Sequence, residues 1–325
     1  MRHVTGLAVS GLAIACAVIA VLLGGRIAGP ATGSGPGERQ TIILTASGAS
    51  YLSPTRLTEV TGARLQVTDT ITGATEAGFP QIAVWSEVSS GYDTTSRQPL
   101  EPMSRIFAFD RTTARLVNCC NANLNGNAAI QQSGIAGWRF PRGTRKRTYE
   151  VFDTTLDAPE PFAYAGTDTV GGTRAYRFAE SITAAPAGFS PLSKTDPERY
   201  SMHRTYWVDP ATGALLKIAE SEDLYLVNRV TGATVTHLLT ADLSTTPATV
   251  ARLVSADHHG RGAGTAAGRD RLLLLGLAAG LAIAAEVLAV SGPGGRVAPR
   301  LPRAAVQARR PAAAAQRAPR PEVSQ

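Results

Sequence analysis

Two long apolar runs bracket this chain of 325 residues and constrain everything between them. Val4–Leu23 is 20 residues without a charge, and Leu272–Val290 is 19 residues with one, Glu286. At a rise of about 1.5 Å per residue, either run is long enough as a helix to cross a hydrocarbon core roughly 30 Å thick. A cleaved signal peptide is the rival for the first run, but its apolar stretch is about 7–15 residues and ends at a small-x-small site. This run is longer and ends in Leu22-Leu23-Gly24-Gly25-Arg26, so a retained anchor is expected. Cys16 raises a lipoprotein signal, yet Ala13 stands where that signal usually has Leu, and apolar sequence continues beyond the cysteine. Glu286 lies near the end of its run, where snorkelling or protonation accounts for a carboxylate.

Basic residues set the expected sidedness. Arg296, Arg300, Arg303, Arg309, Arg310, Arg317 and Arg320 follow the second run, against the single acid Glu322. Such an excess marks the cytoplasmic side, and Met1-Arg2-His3 fits the same side. The expectation is a two-pass plasma-membrane protein with both termini cytoplasmic and the main domain outside. Its parts are a cytoplasmic N-terminus (1–3), a first transmembrane helix (4–23), a linker (24–40), a β-rich domain (41–245), an amphipathic helix (246–260), a second linker (261–271), a second transmembrane helix (272–290) and a disordered basic tail (291–325). Residues 27–270 hold 22 basic and 23 acidic residues, a formal net charge of −1. The overall +7 therefore belongs to the tail and flanks, and it gives no support to nucleic-acid binding.

The segment between the runs reads as antiparallel strands. Ile82–Trp85, Arg105–Phe109, Ala175–Phe178 and Arg204–Val208 combine aromatic and β-branched residues in strand-length stretches. Asp209-Pro210-Ala211-Thr212-Gly213 and Asp110-Arg111-Thr112-Thr113-Ala114 read as one turn device used twice, and Val170-Gly171-Gly172-Thr173 joins another pair. Alternation of apolar and polar residues implies a sheet with one buried face. The fold class is mainly β (β-rich α+β): curved antiparallel sheets forming a lipid-binding-like outer domain, flanked by two transmembrane helices. Thr246-Pro247 followed by Val250, Leu253 and Val254 reads as a capped helix, with Gly260 as its stop.

Catalytic motifs are missing: no G-x-S-x-G, H-E-x-x-H, phosphate-binding Gly loop or C-x-x-C is present. No enzyme activity, cofactor or metal is expected. His258-His259 are adjacent, not i, i+4, and read as exposed helix-end residues; Asp153 and Asp157 read as ordinary turn acids. Cys119-Cys120 forms either a vicinal disulfide in a tight turn or two buried free thiols. Arg142, Arg145, Lys146 and Arg147 crowd four bases into six residues; in a strand, Arg145 and Arg147 would share a face. They read as a solvated strand edge or, functionally, as a contact for anionic lipid headgroups.

Phe109-Asp110-Arg111-Thr112, Gly134–Pro141 (GIAGWRFP) and Lys146–Asp153 (KRTYEVFD) resemble the spaced signatures of the actinobacterial porin-A family, long catalogued as a domain of unknown function. Tyr164-Ala165-Gly166, Tyr176-Arg177-Phe178 and Trp207–Gly213 continue the resemblance in order, over roughly residues 40–255. The family implies a cell-envelope protein; some members are linked to lipoglycan and cell-wall lipid assembly, with an outer domain resembling lipid-binding β folds. Cys119-Cys120 is not among the residues that carry the resemblance, and its role stays open.

The expected function is a tethered, non-catalytic lipid-binding module, with membrane lipids or lipoglycan precursors and envelope-assembly proteins as partners. Trp85, Phe107, Phe109, Trp138, Phe140, Phe152, Tyr176, Phe178 and Trp207 are the candidate lining of an apolar cleft, each also readable as ordinary core. The alternatives are a scaffold in envelope assembly or a channel. The sequence disfavours the channel because outer-membrane barrels carry no helical anchors.

Overall fold

The computed structural model describes residues 39–74, 81–189, 193 and 195–261; both apolar runs and the basic tail lie outside the described residues. Six strands form the first half: β1 (Arg39–Leu52), β2 (Glu59–Gly73), β3 (Ile82–Asp93), β4 (Met103–Asp110), β5 (Leu116–Val117) and β6 (Asn123–Leu124). The second half holds β7 (Tyr149–Asp153), β8 (Ala158–Val170), β9 (Thr173–Phe189), β10 (Pro197–Val208), β11 (Leu215–Val227) and β12 (Thr234–Thr245). The fold is mainly β, a curled antiparallel sheet in the order β5-β4-β3-β2-β1-β12-β11-β10-β9-β8-β7, with β6 on β4.

Nearly every connection is a hairpin, and six share one construction. At Ser53, Asp93, Asp110, Asp153, Asp209 and Asn228 a short polar side chain opens the turn, and the residue four places on has positive φ. The carboxylate of Asp110 accepts from the amides of Thr112 (3.0 Å) and Thr113 (2.7 Å), and Ala114 closes the turn at φ 58°. Asp209 accepts from the Ala211 amide at 2.7 Å, and Gly213 closes at φ 75°. A polar side chain bonding its own turn, followed by a left-handed residue, is the four-residue hairpin geometry.

A strap joins the sheet's edges. The Leu116 amide donates to the Gly134 carbonyl (2.9 Å), the Ile135 amide to Glu150 (2.8 Å), and the Phe152 amide to Ile135 (2.9 Å). The exposed polar edges of β5 and β7 are thereby satisfied, as an unpaired edge requires. Gly134 is needed there: its φ is +78°, and a Cβ would stand 2.5 Å from the Glu150 carbonyl oxygen.

The core lies on the concave face. Trp85, Phe107 and Phe109 pack edge-on or stacked with centroids 5.0–6.0 Å apart. Phe140 sits 5.1 Å from Phe178 and 5.3 Å from Tyr149. Burying each such ring contributes about 1.5–3 kcal/mol. The convex face is polar by the same alternation, with Arg64, His203, Thr240 and Asp242 exposed.

A helix, α1, occupies 247–261. The Thr246 hydroxyl accepts from the Thr249 amide (3.3 Å), and Pro247 opens the first turn. Val250 and Val254 pack outside the sheet on Val170, Ala175, Leu216 and Trp207. Gly260 does not stop the helix, which continues through it to Arg261, the last described residue of this stretch. There Arg261 pairs with Asp209 and Asp257, contacts that hold the helix beyond Gly260. His258 and His259 are exposed; the first shares a 2.7 Å hydrogen bond with the Thr173 hydroxyl.

Candidate functional site

Beyond the aromatic half, the concave face turns acidic. Side chains directly opposite one another on paired strands share a face. On β3 and β4 the pair Glu87–Arg105 is such a couple, and on β9, β10 and β11 Arg204 stands between Glu180 and Glu220. Asp69 on β2, Asp153 on β7 and Glu222 on β11 join the same side. With Glu160 on β8, opposite the buried Val151, seven carboxyl groups thus face into the curl around two guanidinium groups.

The guanidinium groups have distinct tasks. Arg105 Nε lies 3.2 Å from Glu87 Oε2, its Nη2 donates to the Ala136 carbonyl at 3.2 Å, and its plane lies over Phe107 at 4.3 Å. It therefore pins the strap from the inside. Arg204 reaches Asp153 (3.3 Å), Glu180 (3.2 Å) and Glu220 (2.8 Å), and the Tyr200 hydroxyl donates to Asp153 at 3.3 Å. Burial alone would weaken the Arg204 proton, but Glu220 and its other acidic neighbours outweigh it and hold the pKa above the ordinary value.

One guanidinium cannot neutralise three carboxylates. Burial pushes Asp69 up to about 7, against a hydrogen bond from Ser89 and helped by Glu87. Burial lifts Glu180 to about 7 as well, although Arg204 opposes it. Glu222 also reaches about 7, through burial and then Glu220. Glu222, Glu220 and Arg204 nevertheless keep accessible surface. Glu180 Oε1 is buried without a hydrogen-bond partner, while its Oε2 accepts from Arg204.

The residues singled out in the sequence fall elsewhere. Trp85, Phe107, Phe109, Phe140, Phe152 and Phe178 are buried in the main core, where they contact one another. Trp138 and Tyr176 pack against its margin, and Trp207 lies outside under α1, its indole N–H donating to Asp168 at 3.0 Å. The nine rings do not line one cleft. Arg142, Arg145, Lys146 and Arg147 are exposed on an irregular turn, so the strand expected there does not form. The turn is held instead by the Thr144 hydroxyl on the Pro141 carbonyl (2.6 Å) and by the Arg145 amide on the Tyr149 hydroxyl (2.8 Å). Cys119 and Cys120 form a vicinal disulfide, half-buried in the β5–β6 turn. Cys120 and Asn121 there have φ of 62° and 64°.

The acidic cluster forms no run or motif in the sequence, because its members lie singly or in pairs on strands far apart along the chain. Its signal is charge in phase with apolar residues: Trp85-x-Glu87, Arg105-x-Phe107, Phe178-x-Glu180-x-Ile182, Met202-x-Arg204-x-Tyr206 and Ile218-x-Glu220-x-Glu222. A charge at the buried parity needs a partner or a function.

Comparison with known proteins bears on the whole chain. The profile of the family described as "Porin PorA" matches residues 5–288. A "Porin PorA" of Corynebacterium resistens is 31% identical over 93 residues, which is 28% of this chain and 22% of that protein's length. Rv2717c from M. tuberculosis, a solved crystal structure, is similar at 14% identity over 63% of this chain and 91% of its own, with a TM-score of 0.25, too slight to bear on fold or function.

The family match overturns two expectations. A tethered lipid-handling module that is not a porin conflicts with a family named for porins, and six of the nine aromatics assigned to an acyl cleft are packed in the main core. The two-pass plasma-membrane placement conflicts with it equally. Among the described residues no helix is long and apolar enough to cross a membrane, and the two runs on which that placement rested lie outside them. Matched along most of its length, the chain belongs to the Porin PorA family.

Proposed function

We propose that this chain is a porin-type subunit of an actinobacterial cell envelope, contributing to a path for small polar solutes and performing no covalent chemistry. The family match over residues 5–288 carries this reading. The geometry supports a division of labour within the sheet. Its aromatic half is a packed support. Its charged half, with Glu220, Glu222 and Arg204 reachable, offers a hydrated solute polar groups in place of water. Membrane-embedded β-barrels turn apolar side chains outward. The convex face here carries Arg64, His203 and Asp242, so the sheet is the water-facing part of such a subunit.

The test is solute release. Full-length protein reconstituted into liposomes should release an entrapped small sugar well before protein-free liposomes do. Release no faster than in protein-free liposomes, with insertion confirmed, overturns the reading.

A further inference from the structure

We propose that the acidic half of the concave face is a binding site for organic cations bearing a primary ammonium group. This assignment of solute class deepens the porin-type reading and rests on it for its physiological setting.

Two independent observations point to a ligand. The first is an imbalance of charge: seven inward carboxyl groups surround the two guanidiniums, and Arg105 is already committed to Glu87 and the strap. The second is Glu180, whose side chain is 1% exposed and whose Oε1 finds no hydrogen-bond partner. A buried oxygen left unpaired costs roughly 1–3 kcal/mol, more when charged, and a donor arriving from solution removes that cost. Glu222, on the same face, is partly exposed and stands opposite Met202 on β10, which in turn stands opposite Ile182 on β9, two residues from Glu180.

The class of cation follows from the spacing and the wall. Among the described residues no three acidic, His or Cys groups come together tightly enough to hold a metal ion. A hard divalent cation needs about six oxygens closely arranged, whereas an ammonium needs about three acceptors. Beside the carboxylates lies an apolar cluster of Ile182, Tyr200 and Met202 with Leu224 against it. Those three side chains are buried, but the partly exposed margin of the cluster, Leu224 with Leu156, Ala185 and Ala187, is apolar and suits an alkyl stem.

Charged and titratable groups face the site from each neighbouring strand: Asp69 from β2, Glu87 from β3, Arg105 from β4, Asp153 from β7, Glu160 from β8 and Glu180 from β9. Arg204 with Tyr200 and Tyr206 face it from β10, and Glu220 with Glu222 from β11. Asp69, Glu180 and Glu222, at about 7, are largely protonated at pH 6 and largely ionised at pH 8. A bound ammonium favours the ionised forms, so binding must release protons and tighten as pH rises.

Isothermal titration of full-length protein in detergent with 1,5-diaminopentane tests this. Affinity is expected to be at least about tenfold higher at pH 8 than at pH 6, and to fall at least about tenfold in Glu180→Gln and in Glu222→Gln. Asp242→Asn, on the convex face, should bind as wild type does. Glu222→Gln alters a partly exposed group, so it stays informative should Glu180→Gln fail to fold. Absence of binding at pH 8, affinity indifferent to both glutamine variants, or calcium chloride binding as tightly and with the same sensitivity to the variants each overturns the proposal. Protein that releases sugar from liposomes but does not bind the diamine sinks this inference alone. Protein that binds the diamine but releases nothing sinks the porin-type reading alone.

Discussion

Asp69 shows how one residue couples the sheet's stability to pH. Burial raises its carboxyl from the unfolded value of 3.8 to about 7 in the fold. Below pH 4 both states hold the proton. Between about 4 and 7 the unfolded chain releases it while the folded chain keeps it, so stability falls as pH rises and levels off above the folded pKa. Glu180, raised from 4.5 to about 7, acts in the same sense. Asp110, held low by the Thr113 amide, acts oppositely and only in acid, losing its contribution as pH falls through its folded pKa. Denaturant melts at pH 5 and pH 8 should therefore differ by on the order of a few kcal/mol, with the lower stability at pH 8. Asp69→Asn should flatten that slope; a melt indifferent to pH in the wild-type chain contradicts the assignment.

At the scale of elements, the strap at Gly134–Ala136 decides whether the sheet's edges stay joined, and Arg105 holds it from within. Arg105→Met leaves Glu87 buried without its partner and the Ala136 carbonyl without its donor. The expected loss is about 3–5 kcal/mol by chemical denaturation, with much of it recovered in the double variant Glu87→Gln/Arg105→Met. A single variant as stable as wild type contradicts the strap's dependence on that pair. Strands and turns were largely legible in the sequence because their signals are local: alternation along Arg105–Phe109, and Asp followed by Gly at Asp209–Gly213. Four of the six turns of this type were missed. Two of them end on Leu57 and Arg97, where the left-handed residue is not glycine and composition carries no sign of it. Strand pairing between β5, the strap and β7 was not legible at all, since it joins segments far apart in sequence through only a few hydrogen bonds. The helix cap at Thr246 was readable, but its continuation through Gly260 was not, because the Arg261–Asp209 contact beyond it is tertiary.

Across the described sheet, one half is aromatic and closed and the other acidic, with accessible surface at Glu220, Glu222 and Arg204. The sequence shows the first plainly and hides the second. Counting charges over residues 27–270 gives near neutrality, and only the inward parity of Glu87, Glu180, Glu220 and Glu222 concentrates acid on one face. The porin-type reading makes that face part of a path, and planar-bilayer recording of full-length protein tests this most directly. Discrete conductance steps are expected from the wild-type chain, with a smaller amplitude for cations in Glu180→Gln/Glu222→Gln. A bilayer that stays silent with protein demonstrably inserted, or steps of the same amplitude in the double variant, would contradict it.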